Sequence, residues 1–239
     1  MTATSPRIGF DRFIHINWLQ LAIRIRTGTA SLNDLSEVLD SAGLGKAAKK
    51  KTQTVLNRLW LEPRPELAEF AKRGIELFAE NSDVSPTVLS WGMAIATYPF
   101  FGQVAELVGR LTSLQGDCAS SEIHRRMSEV FGEREGTYRM TNMVLQSQAN
   151  WGAIKRVDSG KRLVRCEKLT VIDPPVVEWL VEAVLRFKGK PISVPTLQTA
   201  PVIFPFRLEP SLAYIASKSL NLELRSEASS DQFVTLRAV

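Results

Sequence analysis

The sequence predicts a mainly α protein with small β-hairpins: a helical N-terminal bundle, a helix–turn–helix followed by a hairpin, and a mixed α/β C-terminal module. Three observations predict it. Apolar residues recur at helical spacing through most of the chain before Gly152. Pro86 and Pro99 stand where new helices would begin, the position at which proline's missing N–H costs nothing. After Gly152, two short runs flank the turn-forming triplet Asp158-Ser159-Gly160, as in a hairpin.

The elements follow in order. Ile14, Trp18, Leu21 and Ile25 mark a first helix that Thr27-Gly28 stops. Ser31 with Asp34 opens a short second helix, and Gly43-Leu44-Gly45 closes it. A third starts near Lys46 and buries Val55, Leu56, Leu59 and Trp60. Residues 32–61 thus form a possible basic helix-turn-helix. Lys46, Lys49, Lys50 and Lys51 crowd its last helix start, where positive charge opposes the macrodipole. One reading is a phosphate-backbone clamp, the other a solvated lysine face. The glycines do not make a P-loop, because Ala47 stands where Ser or Thr would hold magnesium. A fourth helix spans Pro65 to Phe78. A fifth, from Pro86, is apolar nearly all round and should be central. A sixth follows Pro99 with Val104, Leu107, Val108 and Leu111. Residues 1–98 read as a helical domain, 99–172 as a second module and 173–239 as a third.

In the second module, Ser120-Ser121-Glu122 reads as an N-cap signal, followed by Ile123, Met127, Val130 and Phe131 at helical spacing. Gly132 breaks the run, and a second helix spans Glu135 to Trp151. Ala153 to Val157 and Lys161 to Ile172 read as two strands. On the second helix, Arg139, Asn142, Gln146 and Asn150 share one face, while Met140, Val144 and Trp151 share another. Arg, Asn and Gln are the side chains that bond base edges bidentately. On the hairpin, Lys155, Arg156, Lys161, Arg162, Arg165 and Lys168 are opposed only by Asp158 and Glu167. Like charges so placed repel unless an anion neutralises them, and phosphate would do so.

The C-terminal third is proline-rich. Val176 to Leu185 form one more helix. Pro191, Pro195, Pro201, Pro205 and Pro210 predict a largely extended path, with Val202-Ile203-Phe204 and Phe206 packing back onto a core. A helix from Ser211 to Leu220 precedes Leu222–Arg225, a polar turn near Ser229-Ser230-Asp231, and Phe233–Arg237. The order again is helix then hairpin, but this segment is charge-neutral and reads as a docking or packing module. No internal repeat is evident.

Composition narrows the function classes. Hydrophobic residues are 44% and charged residues 23%, enough for a core without staples. The net charge of +5 is unevenly spread: +5 over 1–60, −4 over 61–120, +4 over 121–172 and zero over 173–239. Two basic segments flanking an acidic one point to an anionic partner. Cys118 and Cys166 suit a reducing cytoplasm. Met1–Arg12 holds no apolar signal core, and Val84–Phe101 is too short and punctuated to span a bilayer, so no membrane is expected. His15 and His124 lack partners for a catalytic constellation or a zinc site. Glu133 and Glu135 read as first-turn helix residues. No enzyme, metal or cofactor is expected.

Residues 120–172 resemble the winged-helix superfamily in element order, in the polar face Arg139/Asn142/Gln146 and in the basic wing. The resemblance implies duplex DNA binding, with the second helix in a groove and the hairpin on the backbone. The layout of helical region, winged-helix-like segment and mixed tail is also similar to small accessory proteins of BREX phage-defence systems, which implies a bacterial DNA-binding accessory protein without catalysis. The expectation is that Arg139, Asn142 and Gln146 face a groove. Phosphates would be held by Lys155, Arg156, Lys161, Arg162, Arg165, Arg125 and Arg126, with Lys49, Lys50 and Lys51 as a second backbone site. Other protein subunits would dock on apolar or C-terminal surfaces. A protein-docking scaffold and an RNA binder are the alternative functions.

Overall fold

A computed structural model describes residues 9–81, 83–226 and 232–237. The expected polar turn Ser229-Ser230-Asp231 lies outside them, as does most of the Met1–Arg12 segment. The protein is mainly α with small sheets, as the periodicity predicts. Helices α1 (Ile16–Arg26), α2 (Leu32–Ser41), α3 (Lys46–Leu56), α4 (Ala68–Glu80), α5 (Pro86–Thr97) and α6 (Pro99–Gln115) come first. His15, taken as a surface or core residue, caps α1: its Nδ1 accepts from the Asn17 N–H at 3.1 Å. Ser31 and Asp34 close a reciprocal capping box on α2. Proline fills the first helical position of both α5 and α6. Helix α5 is buried on nearly every side, with Trp91 fully enclosed.

Next come β1 (Asp117–Ala119), α7 (Ser120–Phe131), α8 (Glu135–Asn150), β2 (Ile154–Val157) and β3 (Arg162–Arg165). Ser120 is the first helical residue rather than the cap. Ala119 precedes it, and the Ser120 hydroxyl donates to the Lys161 carbonyl at 3.1 Å. Gly132, at φ 88°, makes the turn between α7 and α8 in a conformation that other residues avoid. The four-residue turn from Asp158 to Lys161 places Asp158 (φ 52°) and Ser159 (φ 56°) in the left-handed region, which Asp tolerates better than most residues. The expected long strand to Ile172 does not form. It ends at Arg165, and a separate strand β4 (Leu169–Val171) pairs in parallel with β6 (Phe206–Leu208). No periodicity in the sequence predicts strand β1. It lies antiparallel to β3, with Cys118 opposite Leu163, giving a three-stranded sheet of order β1-β3-β2.

After β4 come α9 (Pro174–Lys188), β5 (Ile192–Ser193), α10 (Val194–Gln198), β6, α11 (Leu212–Lys218), β7 (Leu222–Ser226) and β8 (Gln232–Leu236). The proline-rich path is less extended than expected. Pro195 opens α10, and a short 3₁₀ turn covers Pro201–Ile203. Strands β5, β8 and β7 form an antiparallel sheet in that order. The chain therefore repeats one topology. Helix, short strand, two helices and a hairpin, with the short strand beside the hairpin's last strand, describes α6 to β3 and again α9 to β8, the second time with a 3₁₀ turn and strand β6 inserted between the two helices. No sequence repeat announces it.

Two tryptophans organise the core. Trp91 meets Phe101, Trp151, Phe204 and Phe206 edge-on, and its Nε1–H donates to the Val202 carbonyl at 2.9 Å. Trp179 of α9 stacks on Phe70 at 4.3 Å and donates to the Phe70 carbonyl at 2.8 Å. The apolar tail segment Val202–Phe206 thus packs back onto the core as expected.

Candidate nucleic-acid interface

The geometry begins with how α8 is held. Its inner face buries Thr137, Thr141, Val144, Leu145 and Gln148. Its C-terminal half is covered by the segment before α1. The Ile14 N–H donates to Ser147 Oγ at 2.9 Å, the Ile16 N–H to Asn150 Oδ1 at 2.8 Å, and Trp151 Nε1–H to the Ile14 carbonyl at 2.8 Å. Asn150, one of the four polar-face residues, is therefore engaged inside the protein. Only the N-terminal half of α8 is left broadly open.

That open half presents Tyr138 and Arg139, with Asn142 half-buried behind them, while Gln146 is half-buried in the covered C-terminal half. Tyr138, 59% exposed, was not singled out from the sequence. Its ring stacks on His124 of α7 at 4.0 Å between centroids. Burial first, then the Arg156 charge, lowers the His124 pKa from its ordinary 6.5. Arg156 reaches from β2 across to α8, where Nη2 donates to Asn142 Oδ1 at 2.8 Å. The hairpin and α8 are thereby joined by a charge-assisted hydrogen bond. Asn142 keeps its amide N–H groups for another partner.

The hairpin's cations divide between its faces. Strand alternation turns Arg156 and Arg165 toward the helices, and Lys155 and Arg162 away. Lys155 and Lys161 are exposed and make no ion pair among the described residues. Arg162 stands between Asp117 at 3.5 Å and Asp158 at 3.7 Å, both loose contacts. Arg165 is engaged internally: Nη2 donates to the Gly109 carbonyl at 2.7 Å and Nε to Thr112 Oγ1 at 3.1 Å. Lys168 lies beyond the hairpin, between β3 and β4.

The other expected phosphate contacts are differently placed. Arg125 pairs with Glu122 at 2.8 Å and also with Glu129, and Arg126 pairs with Glu122 at 2.6 Å. Hydrogen bonds from Arg125 and Arg126 pull the Glu122 carboxyl down to about 2. The two arginines are thus already matched by acids. Lys49 bonds Asp40 at 2.6 Å and Ser36 at 3.0 Å, and Lys51 lies 3.5 Å from Asp11. Lys50 is exposed and unpaired among the described residues. These lysines lie on α3 or at its start, on other elements than the hairpin, and the Lys49–Asp40 pair ties α3 to α2.

Among the described residues, no helix is long and apolar enough to cross a membrane, and no three His, Cys, Asp or Glu side chains gather to hold a metal ion. Burial and the nearby Asp117 and Glu122 raise the Cys118 thiol to about 11, so it is a poor nucleophile. Compared with known proteins, the chain matches no family model, no curated protein and no solved structure.

Proposed function

We propose that residues 99–172 form a winged-helix module that binds duplex DNA without catalysis. The N-terminal half of α8 enters the major groove, and the β2–β3 hairpin rests on the sugar-phosphate backbone. The observation that carries this reading is the Arg156–Asn142 bond, which ties the basic hairpin to the one exposed polar face of α8. A helix presenting Tyr138, Arg139 and Asn142, joined through Arg156 to a hairpin whose Lys155 and Lys161 make no ion pair among the described residues, combines base-edge donors with phosphate donors. The order β1-β3-β2 around two helices supports the same reading, because the hairpin is then an extension of the sheet that α7 and α8 pack against.

Glu133 and Glu135 at the start of α8 disfavour phosphate there. The backbone contacts are therefore assigned to Lys155, Lys161 and Arg162. Arg165, Arg125 and Arg126 act as braces, and Lys50 is the most available cation of the second site. With phosphate contacts outnumbering base contacts, binding is weakly sequence-selective. The biological role is that of an accessory or regulatory subunit in a bacterial DNA-processing or phage-defence system, acting in the cytoplasm with other protein subunits.

The test is Lys155→Glu with Lys161→Glu, chosen because neither residue has an internal partner among the described residues. Duplex affinity should fall at least tenfold at low salt, with the melting temperature unchanged. Unchanged affinity removes the hairpin from the interface. A structured RNA that outcompetes duplex DNA of equal length would replace this reading, because an A-form major groove does not admit α8.

A further inference from the structure

A second cluster of cations lies where the chain leaves β3. Between α6, the segment leaving β3 and the turn after α10 there is a cavity of ≈ 440 Å³. Arg110, Arg165 and Lys168 line it, Gln198 and Thr199 stand at its edge, and Phe204 lies in its apolar wall. No Asp or Glu is among the residues that line it.

Arg165 is held in place, whereas Arg110 and Lys168 reach out toward solvent. Arg165 uses Nε and one Nη2 hydrogen for Thr112 and Gly109, and its guanidinium lies 5.3 Å from the Phe204 centroid. An arginine carries five N–H donors, so the rest remain available. Arg110 is braced by Glu106, a buried carboxylate that also takes Lys188 at 2.5 Å. That acid is shared between two cations, so it offsets only part of the charge that Arg110 brings. Lys168 has no ion-pair partner among the described residues. Burial, then the charges of Arg165 and Arg207, lowers its pKa from 10.5. Arg207 itself pairs with Glu209 at 3.0 Å. Cations held close together in a concave, partly desolvated site attract an anion strongly.

We propose that this cavity binds a phosphate group, with Arg110, Arg165 and Lys168 donating to its oxygens and the Gln198 amide available for a neighbouring polar group. The volume falls in the range of small-ligand sites, about 300–1,000 Å³, and a bare phosphate would leave most of it empty. The chemistry fits a phosphorylated small molecule of nucleotide size. A phosphodiester of a nucleic acid backbone presents the same oxygens.

The experiment compares the native chain with Lys168→Glu, an exposed position where the fold should persist and a melting curve checks it. Isothermal titration uses AMP, inorganic phosphate and adenosine as probes, and duplex anisotropy is recorded against salt. AMP binding without adenosine binding, weakened at least tenfold by Lys168→Glu, supports the proposal with a free phosphorylated ligand as the source. No AMP binding, with a duplex salt slope reduced by about one in the variant, supports it with a backbone phosphate as the source. AMP affinity untouched by the substitution overturns it, as does silence of both AMP and the duplex slope. The AMP arm needs no duplex, so failure of the groove assignment would leave it readable.

Discussion

Replacing Gly92 by Ala tests the packing that fixes α5 against α9. A Cβ on Gly92 overlaps Cζ3 of Trp179 outright and lies 2.8 Å from Cη2, against an ordinary contact of 3.4 Å or more. Trp179 cannot easily retreat. It is stacked on Phe70 at 4.3 Å, faces Trp60 at 6.4 Å and is held by its hydrogen bond to the Phe70 carbonyl. Moving the ring loses that bond, about 1 kcal/mol, on top of roughly 1–3 kcal/mol for overpacking. The gain in helix propensity on replacing glycine offsets only about 1 kcal/mol. The net expectation is a loss of about 2 kcal/mol. For a chain of this size that is a drop of roughly 4–8 °C in melting temperature. The same exchange at Gly136 in α8, where a Cβ meets nothing within 4 Å, should raise stability by roughly 0.4–1 kcal/mol. Calorimetric melts of both variants decide the matter. If Gly92→Ala melts at or above the native temperature, the packing of Trp179 is not as described.

Three further outcomes follow from the site. Tyr138→Ala should weaken duplex binding several-fold without changing its salt slope, since the ring carries no charge; an altered slope would mean that the substitution disturbs the phosphate contacts instead. His124 has a lowered folded pKa, so between that value and 6.5 the unfolded chain binds more protons. Its contribution to stability is fully present above 6.5 and is lost as pH falls through the lowered value. Urea midpoints of His124→Phe should therefore vary less with pH in that window than those of the native chain, and parallel curves would contradict the assignment. Cys118, its thiol raised to about 11, should react with iodoacetamide at pH 8 far more slowly in the folded protein than in denaturant. Equal rates would place it in a more open setting.

Local signals in the sequence were legible where one residue type does one job. Pro86 and Pro99 start helices because proline suits the first turn, and Ser31 with Asp34 caps α2 because the spacing closes a reciprocal pair. The largely apolar composition of α5 marked the centre. The hairpin turn was readable from Asp158-Ser159-Gly160. What stayed hidden depends on partners distant in the chain. Strand β1 has three residues and exists because β3 lies beside it, so no periodicity can reveal it. The parallel β4–β6 pair joins segments on either side of α9, and it cut short the second strand expected to reach Ile172. The topological repeat is invisible because the two units share geometry but not residues. At the site, the basic hairpin was legible as charge, but not which cations are already matched. Arg125, Arg126 and Lys49 lose their freedom to Glu122, Glu129 and Asp40, pairings that only the folded chain displays. Tyr138 carried no signal in sequence, since a lone tyrosine on a helix is usually core.

The central claim is that this protein binds duplex DNA through α8 and the β2–β3 hairpin. Fluorescence anisotropy of a labelled random duplex of about 30 base pairs, titrated at several salt concentrations, tests it most directly. The account predicts micromolar or tighter binding at low salt with a steep negative salt slope, the slope becoming shallower by about two in Lys155→Glu with Lys161→Glu. Absence of binding at low salt would contradict it and turn attention to protein partners.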